Sequence, residues 1–185
     1  MWPSDVGTEL PIADRAADVV ALKVWPMLDD VRIRDARPDE ANFAAEMTRK
    51  MLVELEQYGG LAAAKSDSAW DKVAELIGAD LGHDTTKHVV AETAPDHRIG
   101  YAAARIVILE GPFEPKTTVH VSVLYVVPGN RHGGVARRLL ANVFEWGQAK
   151  SAEYCTLNVL AKNPAKSLYE SLGFLDTDIQ MTRRF

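Results

Sequence analysis

The stretch Val126-Val127-Pro128-Gly129-Asn130-Arg131-His132-Gly133-Gly134-Val135-Ala136-Arg137 decides the fold. A β-branched strand ends at Pro128, a short loop with adjacent glycines follows, and a helix begins at once. Glycines let backbone N–H groups approach a ligand without Cβ obstruction. The helix start adds unpaired N–H groups and the positive end of a dipole. Together they make an anion site suited to a pyrophosphate, and Arg131, Arg137 and Arg138 add positive charge. The spacing is Arg-x-x-Gly-x-Ala. It matches neither Gly-x-x-x-x-Gly-Lys-Ser/Thr nor Gly-x-Gly-x-x-Gly, so two common nucleotide fingerprints are rejected.

Downstream, Val135 to Ala149 is an amphipathic helix with Val135, Leu139, Val143 and Trp146 in one stripe and Ala136, Leu140 and Phe144 beside it. Tyr154 to Leu160 reads as a strand. Asn163 fits an N-cap and Pro164 a first helical position. Ala165 to Leu172 then forms a short helix stopped by Gly173, and Phe174 to Met181 supplies a last strand. Upstream, Thr118 to Val127, Ile99 to Leu109 and Val89 to Thr93 are rich in β-branched residues and separated by turns, as in an antiparallel meander. Two helices precede them, Arg37 to about Gln57 and Ser68 to Ala79, and Val31 to Asp35 alternates as a first strand. The expected order is β-α-α-β-β-β-α-β-α-β, an α/β mixed sheet with helices. Residues 1–30, punctuated by Pro3, Pro11 and Pro26, read as an N-terminal extension with one short helix over Asp14 to Lys23; residues 31–185 form the domain.

Composition bounds the rest. With 47% hydrophobic and 25% charged residues, the chain of 185 is expected to be globular, with one domain or at most two small ones. A net charge of -5 argues against a general nucleic-acid binder. The single cysteine, Cys155, excludes an internal disulfide and a Cys-built zinc site, and fits a reducing, cytoplasmic location. No signal peptide is read at the amino terminus, and the longest apolar-rich runs are too short to span a bilayer. His83, Asp84 and His88 match no standard metal spacing, so no metal is expected.

The run Arg131-His132-Gly133-Gly134-Val135-Ala136, placed after Leu124-Tyr125-Val126-Val127-Pro128, closely resembles the acetyl-coenzyme A signature of the GNAT N-acetyltransferase superfamily, Gln/Arg-x-x-Gly-x-Gly/Ala. Ala165-Lys166-Ser167-Leu168-Tyr169-Glu170-Ser171-Leu172-Gly173-Phe174 is similar to that family's carboxy-terminal "LYExxGF" helix. The resemblance is strong over Thr118 to Phe174 and extends by element order to Val31. It implies a GNAT-like fold: a mostly antiparallel sheet with a splayed parallel strand pair and flanking helices. Acetyl-coenzyme A is the implied co-substrate. Its pantetheine would run along the backbone of Leu124, Tyr125 and Val126, with the Val126 N–H polarising the thioester. Its pyrophosphate would lie on the N–H groups from His132 to Arg137, with Asn163 as a further contact.

The resemblance also implies chemistry. Tyr169 occupies the place of the tyrosine that protonates the departing thiolate. An amine acceptor with a pKa of about 10.4 must first lose a proton. His120, six residues before Val126, stands where relatives carry a base; period-two alternation puts it on one face with Ser122, Leu124 and Val126. Glu92 is a second candidate. Two departures are visible: Lys162 fills the slot where relatives often place Asn, and Leu157-Asn158 stand where many protein-acetylating relatives have a glutamate. The implied acceptor is a primary amine on a small molecule or peptide, with a slight preference for cations from the acidic net charge. A homodimer is implied by resemblance alone; nucleic acid and membrane are not expected partners. The alternatives are a non-catalytic acyl-coenzyme A-binding regulatory module and, less favoured, an interaction domain without coenzyme.

Overall fold

A computed structural model describes residues 31–60, 66–110 and 114–183. The extension 1–30 and its short helix lie outside the described residues. Five strands form one sheet in the order of the sequence: β1 (Arg32–Asp35), β2 (Thr86–Ala94), β3 (His97–Leu109), β4 (Lys116–Val126) and β5 (Tyr154–Leu157). β1 to β4 pair antiparallel, and β5 pairs parallel to β4. Among the described residues the α-helices are α1 (Ala41–Glu56), α2 (Asp67–Asp80), α3 (Val135–Ala149) and α4 (Ala165–Glu170). This is the expected α/β mixed sheet with one parallel pair.

Each face of the sheet carries its own core. On one, Val135, Leu139, Leu140 and Val143 of α3 pack on Val89, Ala91, Ala102, Ala104, Val119, Val121 and Val126. On the other, Ala44 and Met47 of α1 pack on Val90, Tyr101, Ala103, Val123 and Tyr125. Burial of each large aliphatic side chain contributes about 1.5–3 kcal/mol. α3 comes close to the sheet because Gly147 carries no side chain; a Cβ there would meet Val119 Cγ2 at 2.7 Å.

Two expectations fail. The strand after Asn158 does not continue: β5 ends at Leu157, three residues short of Leu160. The last strand also does not form. Residues 175–183 have no regular structure, and Leu175, Ile179 and Met181 are exposed. Leu175, Thr177, Ile179 and Met181 alternate with polar residues, but no described strand pairs with them. Alternation without a partner does not make a strand.

Candidate active site

The parallel pair opens into a V. Register runs Thr118↔Tyr154, Val119↔Cys155, His120↔Thr156 and Val121↔Leu157, then stops, while β4 continues to Val126. The Val127 N–H donates to Ile99 O on β3 at 2.9 Å. N–H groups alternate along a strand, so those of Leu124 and Val126 point the other way, into the V. Beyond Val121 that side of β4 has no strand partner among the described residues.

The loop after β4 presents a run of backbone N–H groups. His132 (φ 66°) and Gly134 (φ 80°) are left-handed, turning successive N–H groups toward one side. The first turn of α3 closes with Arg138 N–H donating to Gly134 O at 3.1 Å. Among the described residues, the N–H groups of residues 132–137 donate to no backbone carbonyl. No atom lies within 4 Å of where a Gly134 Cβ would stand, so the approach is open.

The arginines of this region are not all turned to the loop. Arg131 Nε donates to Val126 O (2.8 Å), and its Nη1 and Nη2 donate to Glu54 Oε1 (2.8 Å) and Oε2 (2.6 Å) on α1. The guanidinium also lies 5.3 Å over the Tyr125 ring. The side chain counted toward the anion thus ties the loop to β4 and α1, and the Arg131 N–H donates to Pro128 O at 3.3 Å. Arg137 Nη2 donates to Ser171 Oγ at 2.5 Å, joining the first turn of α3 to the end of α4. Asn163 Oδ1 accepts the Ala165 N–H at 2.9 Å, as a helix cap does.

Tyr169 lies on the α3 face of the sheet, packed against that core and edge-on to Phe174, which in turn meets Phe144. Burial raises its pKa, so the phenol keeps its proton. Its hydroxyl has no hydrogen-bond partner among the described residues.

His120 is on the opposite face, which corrects the expected alternation. Ala103 pairs with Val123 but Ala104 pairs with Val121, so Ser122 is an extra residue, a β-bulge. The bulge shifts the phase of β4. Leu124 and Val126 join the α3 core, whereas His120 shares the α1 face with its cross-strand partner Arg105 and with Val123 and Tyr125. His120 Nδ1 meets Thr156 Oγ1 at 3.0 Å, and that hydroxyl donates to Val119 O at 3.4 Å. With the hydroxyl proton directed there, Nδ1 carries the ring proton and Nε2 the lone pair, an assignment made from the hydrogen-bond pattern. Desolvation, then the Arg105 charge, lowers the imidazole pKa and keeps it neutral near pH 7.

The other candidates are engaged elsewhere. Glu92 is buried on β2 and accepts from Arg34 Nε (2.9 Å) and Nη2 (2.7 Å), which lowers its pKa; it is no free base. His83 Nδ1 meets Thr85 Oγ1, Asp84 pairs with Lys150, and His88 Nδ1 meets Tyr101 Oη at 2.6 Å. These three go separate ways, and no three His, Cys, Asp or Glu side chains among the described residues gather as a metal site. Burial pushes the Cys155 thiol up to about 11, leaving little thiolate for a covalent relay.

Residues 84–175, which carry β2 to β5, the loop and α4, match the acetyltransferase (GNAT) domain family. The protein carries a GNAT-family acetyltransferase domain, in the class its fold defines. Among solved structures, the BH1408 protein of Bacillus halodurans superposes with a TM-score of 0.72 at 20% identity, covering 83% of this chain and 99% of its own. A predicted acetyltransferase from Clostridium acetobutylicum, with acetyl-CoA, gives 0.66 at 17% identity over 83% and 96%. AAC(6')-Iy in complex with the bisubstrate analog CoA-S-monomethyl-acetylneamine gives 0.62 at 23% identity over 84% and 97%. At these identities the likeness is one of fold. No curated protein matches the chain. Among the described residues, no helix is long and apolar enough to cross a membrane.

Proposed function

We propose that residues 31–185 form an N-acetyltransferase domain that moves an acetyl group from acetyl-coenzyme A to a primary amine by direct attack in a ternary complex. One observation carries this reading. His120 and Tyr169, the two candidates for proton transfer, lie on opposite faces of the sheet, beside the V where β4 and β5 part. Acyl transfer to an amine needs a base within reach of the nitrogen and an acid within reach of the sulfur, and in this reading His120 and Tyr169 take those roles.

The residues present fit the donor. The N–H groups of residues 132–137 and the open approach at Gly134 suit a pyrophosphate. Leu124 and Val126 offer N–H groups along the V for an extended amide chain and for charge developing on an acyl oxygen. Acetyl-coenzyme A supplies an activated acyl carbon and a thiolate leaving group. His120 Nε2 takes the amine proton as nitrogen bonds to that carbon. Tyr169 Oη gives its proton to the sulfur as the carbon–sulfur bond breaks. AAC(6')-Iy, bound to a coenzyme A–acetylneamine conjugate, supports an amine acceptor for this fold. The proposed setting is a reducing cytoplasm, in keeping with a lone cysteine.

The test is thiol release from acetyl-coenzyme A by the full chain across an amine panel, beside calorimetric titration with coenzyme A. Turnover that collapses in Tyr169→Phe while binding persists is expected. Binding without turnover for any amine leaves a regulatory acyl-coenzyme A module instead. No binding at all removes both.

A further inference from the structure

Resting on the N-acetyltransferase function proposed above, we infer that the amine acceptor carries a short-range anionic group, a carboxylate or phosphate, which Arg105 binds beside His120. Arg105 is the cross-strand partner of His120, so the two side chains stand on the same face. Directly paired residues on neighbouring strands are separated by roughly 5 Å between Cβ atoms. α1 packs on Tyr101, Ala103, Val123 and Tyr125, the residues beyond this pair toward the loop. Arg105 is exposed, and its side chain has neither ion-pair nor hydrogen-bond partner among the described residues. Its charge reaches the ring, being one of the two causes that lower the His120 pKa.

Three carboxylates on α1 and just before β5 are already matched. Glu54 is held by Arg131, Glu46 by Arg49 and Lys50, and Glu153 by Lys116. An amine presented to His120 Nε2 therefore meets an uncommitted guanidinium, while these carboxylates are neutralised. The net charge of -5 favours cations only as a sum over the whole surface. Beyond about 10 Å that sum is screened, and the adjacent arginine decides. A guanidinium fork matches carboxylate and phosphate oxygens in pairs. The acceptor class is thus a small amine with its anion a few bonds from the nitrogen.

The test compares matched amines on the full chain: β-alanine against n-propylamine and a short diamine, and O-phosphoethanolamine against ethanolamine. The anionic member of at least one set is expected to show a kcat/KM higher by on the order of tenfold, the size of one charge-assisted contact. The two sets tell carboxylate from phosphate. Arg105→Gln is expected to bring that ratio near one through the KM of the anionic amine, with melting unchanged, and Arg105→Lys to retain part of it. Equal or better turnover of the neutral and cationic amines by the wild type overturns the assignment. So does a ratio that survives in Arg105→Gln. Both outcomes leave the acetyltransferase function standing. Absence of thiol release with every amine, while coenzyme A still titrates, sinks that function and the acceptor class with it.

Discussion

Glu54 and Arg131 meet across 77 residues of chain, carboxylate to guanidinium, through two bonds of 2.8 and 2.6 Å. One belongs to α1, the other to the loop between β4 and α3. The loop's left-handed geometry is therefore braced from a helix on the far face of the sheet.

Glu54→Gln removes the charge and one acceptor of that brace. Because both partners are partly exposed, the stability loss is expected to be only about 1 kcal/mol. Donor binding should weaken roughly threefold to tenfold as the loop loosens. Calorimetric titration with coenzyme A beside a denaturant melt reads both; an unaltered dissociation constant would show that the pair does not shape the cradle.

Gly134→Ala isolates backbone strain. Its φ of 80° is unfavourable for any Cβ, yet nothing stands within 4 Å. The cost is therefore conformational, about 1–2 kcal/mol. Coenzyme A affinity should fall further in Gly134→Glu, where a negative side chain faces the proposed pyrophosphate. Equal affinity in wild type and Gly134→Glu would argue that no phosphate sits there.

The pH profile follows from the two groups proposed for proton transfer. His120 has a depressed pKa, so the base stays unprotonated until the pH drops below the usual imidazole range. Tyr169 has a raised one, so the acid persists above the usual phenol range. A broad plateau in kcat/KM is expected between these limits. His120→Gln should lower kcat by about 10²–10⁴ and abolish the acid limb. An acid limb that stays in place after this substitution would assign it to another group.

Acid stability rests on Glu40, buried against Arg34 with bonds of 2.7 and 2.8 Å. Arg34 holds its carboxyl down to about 2, and lowers Glu92 as well. A carboxyl with a depressed folded pKa stabilises above its unfolded value, about 4.3, and loses that contribution as pH falls toward the folded value. Melting temperature should therefore drop steeply from about pH 4.3 toward 2. Glu40→Gln should cost about 1.5–3 kcal/mol at pH 7, since Arg34 keeps Glu92 as its counter-charge, and should soften that acid transition. Urea denaturation across pH tests this, with a slope identical in both proteins counting against it.

The parts that local chemistry governs were readable in advance. α3 begins and ends where its apolar stripe does, and the glycine loop lies between strand and helix as its residues dictate. What escaped depends on distant partners. Nothing near Arg131 in the sequence announces Glu54, and nothing near Glu92 announces Arg34. A bulge is set by how two strands register, so Ser122 looks like any alternating residue until β3 is laid beside it. Residues 175–181 show the converse: a strand-like pattern remains unrealised for lack of a neighbour.

Ser122 acts as a parity change in β4. Every side chain before it is swapped, inside for outside, relative to an unbroken pleat. Deleting that single serine would turn the imidazole of His120 toward the α3 core and carry Val119 and Val121 to the opposite face. One small residue thus sets which side of the sheet carries His120 and Arg105 and which carries Val119 and Val121.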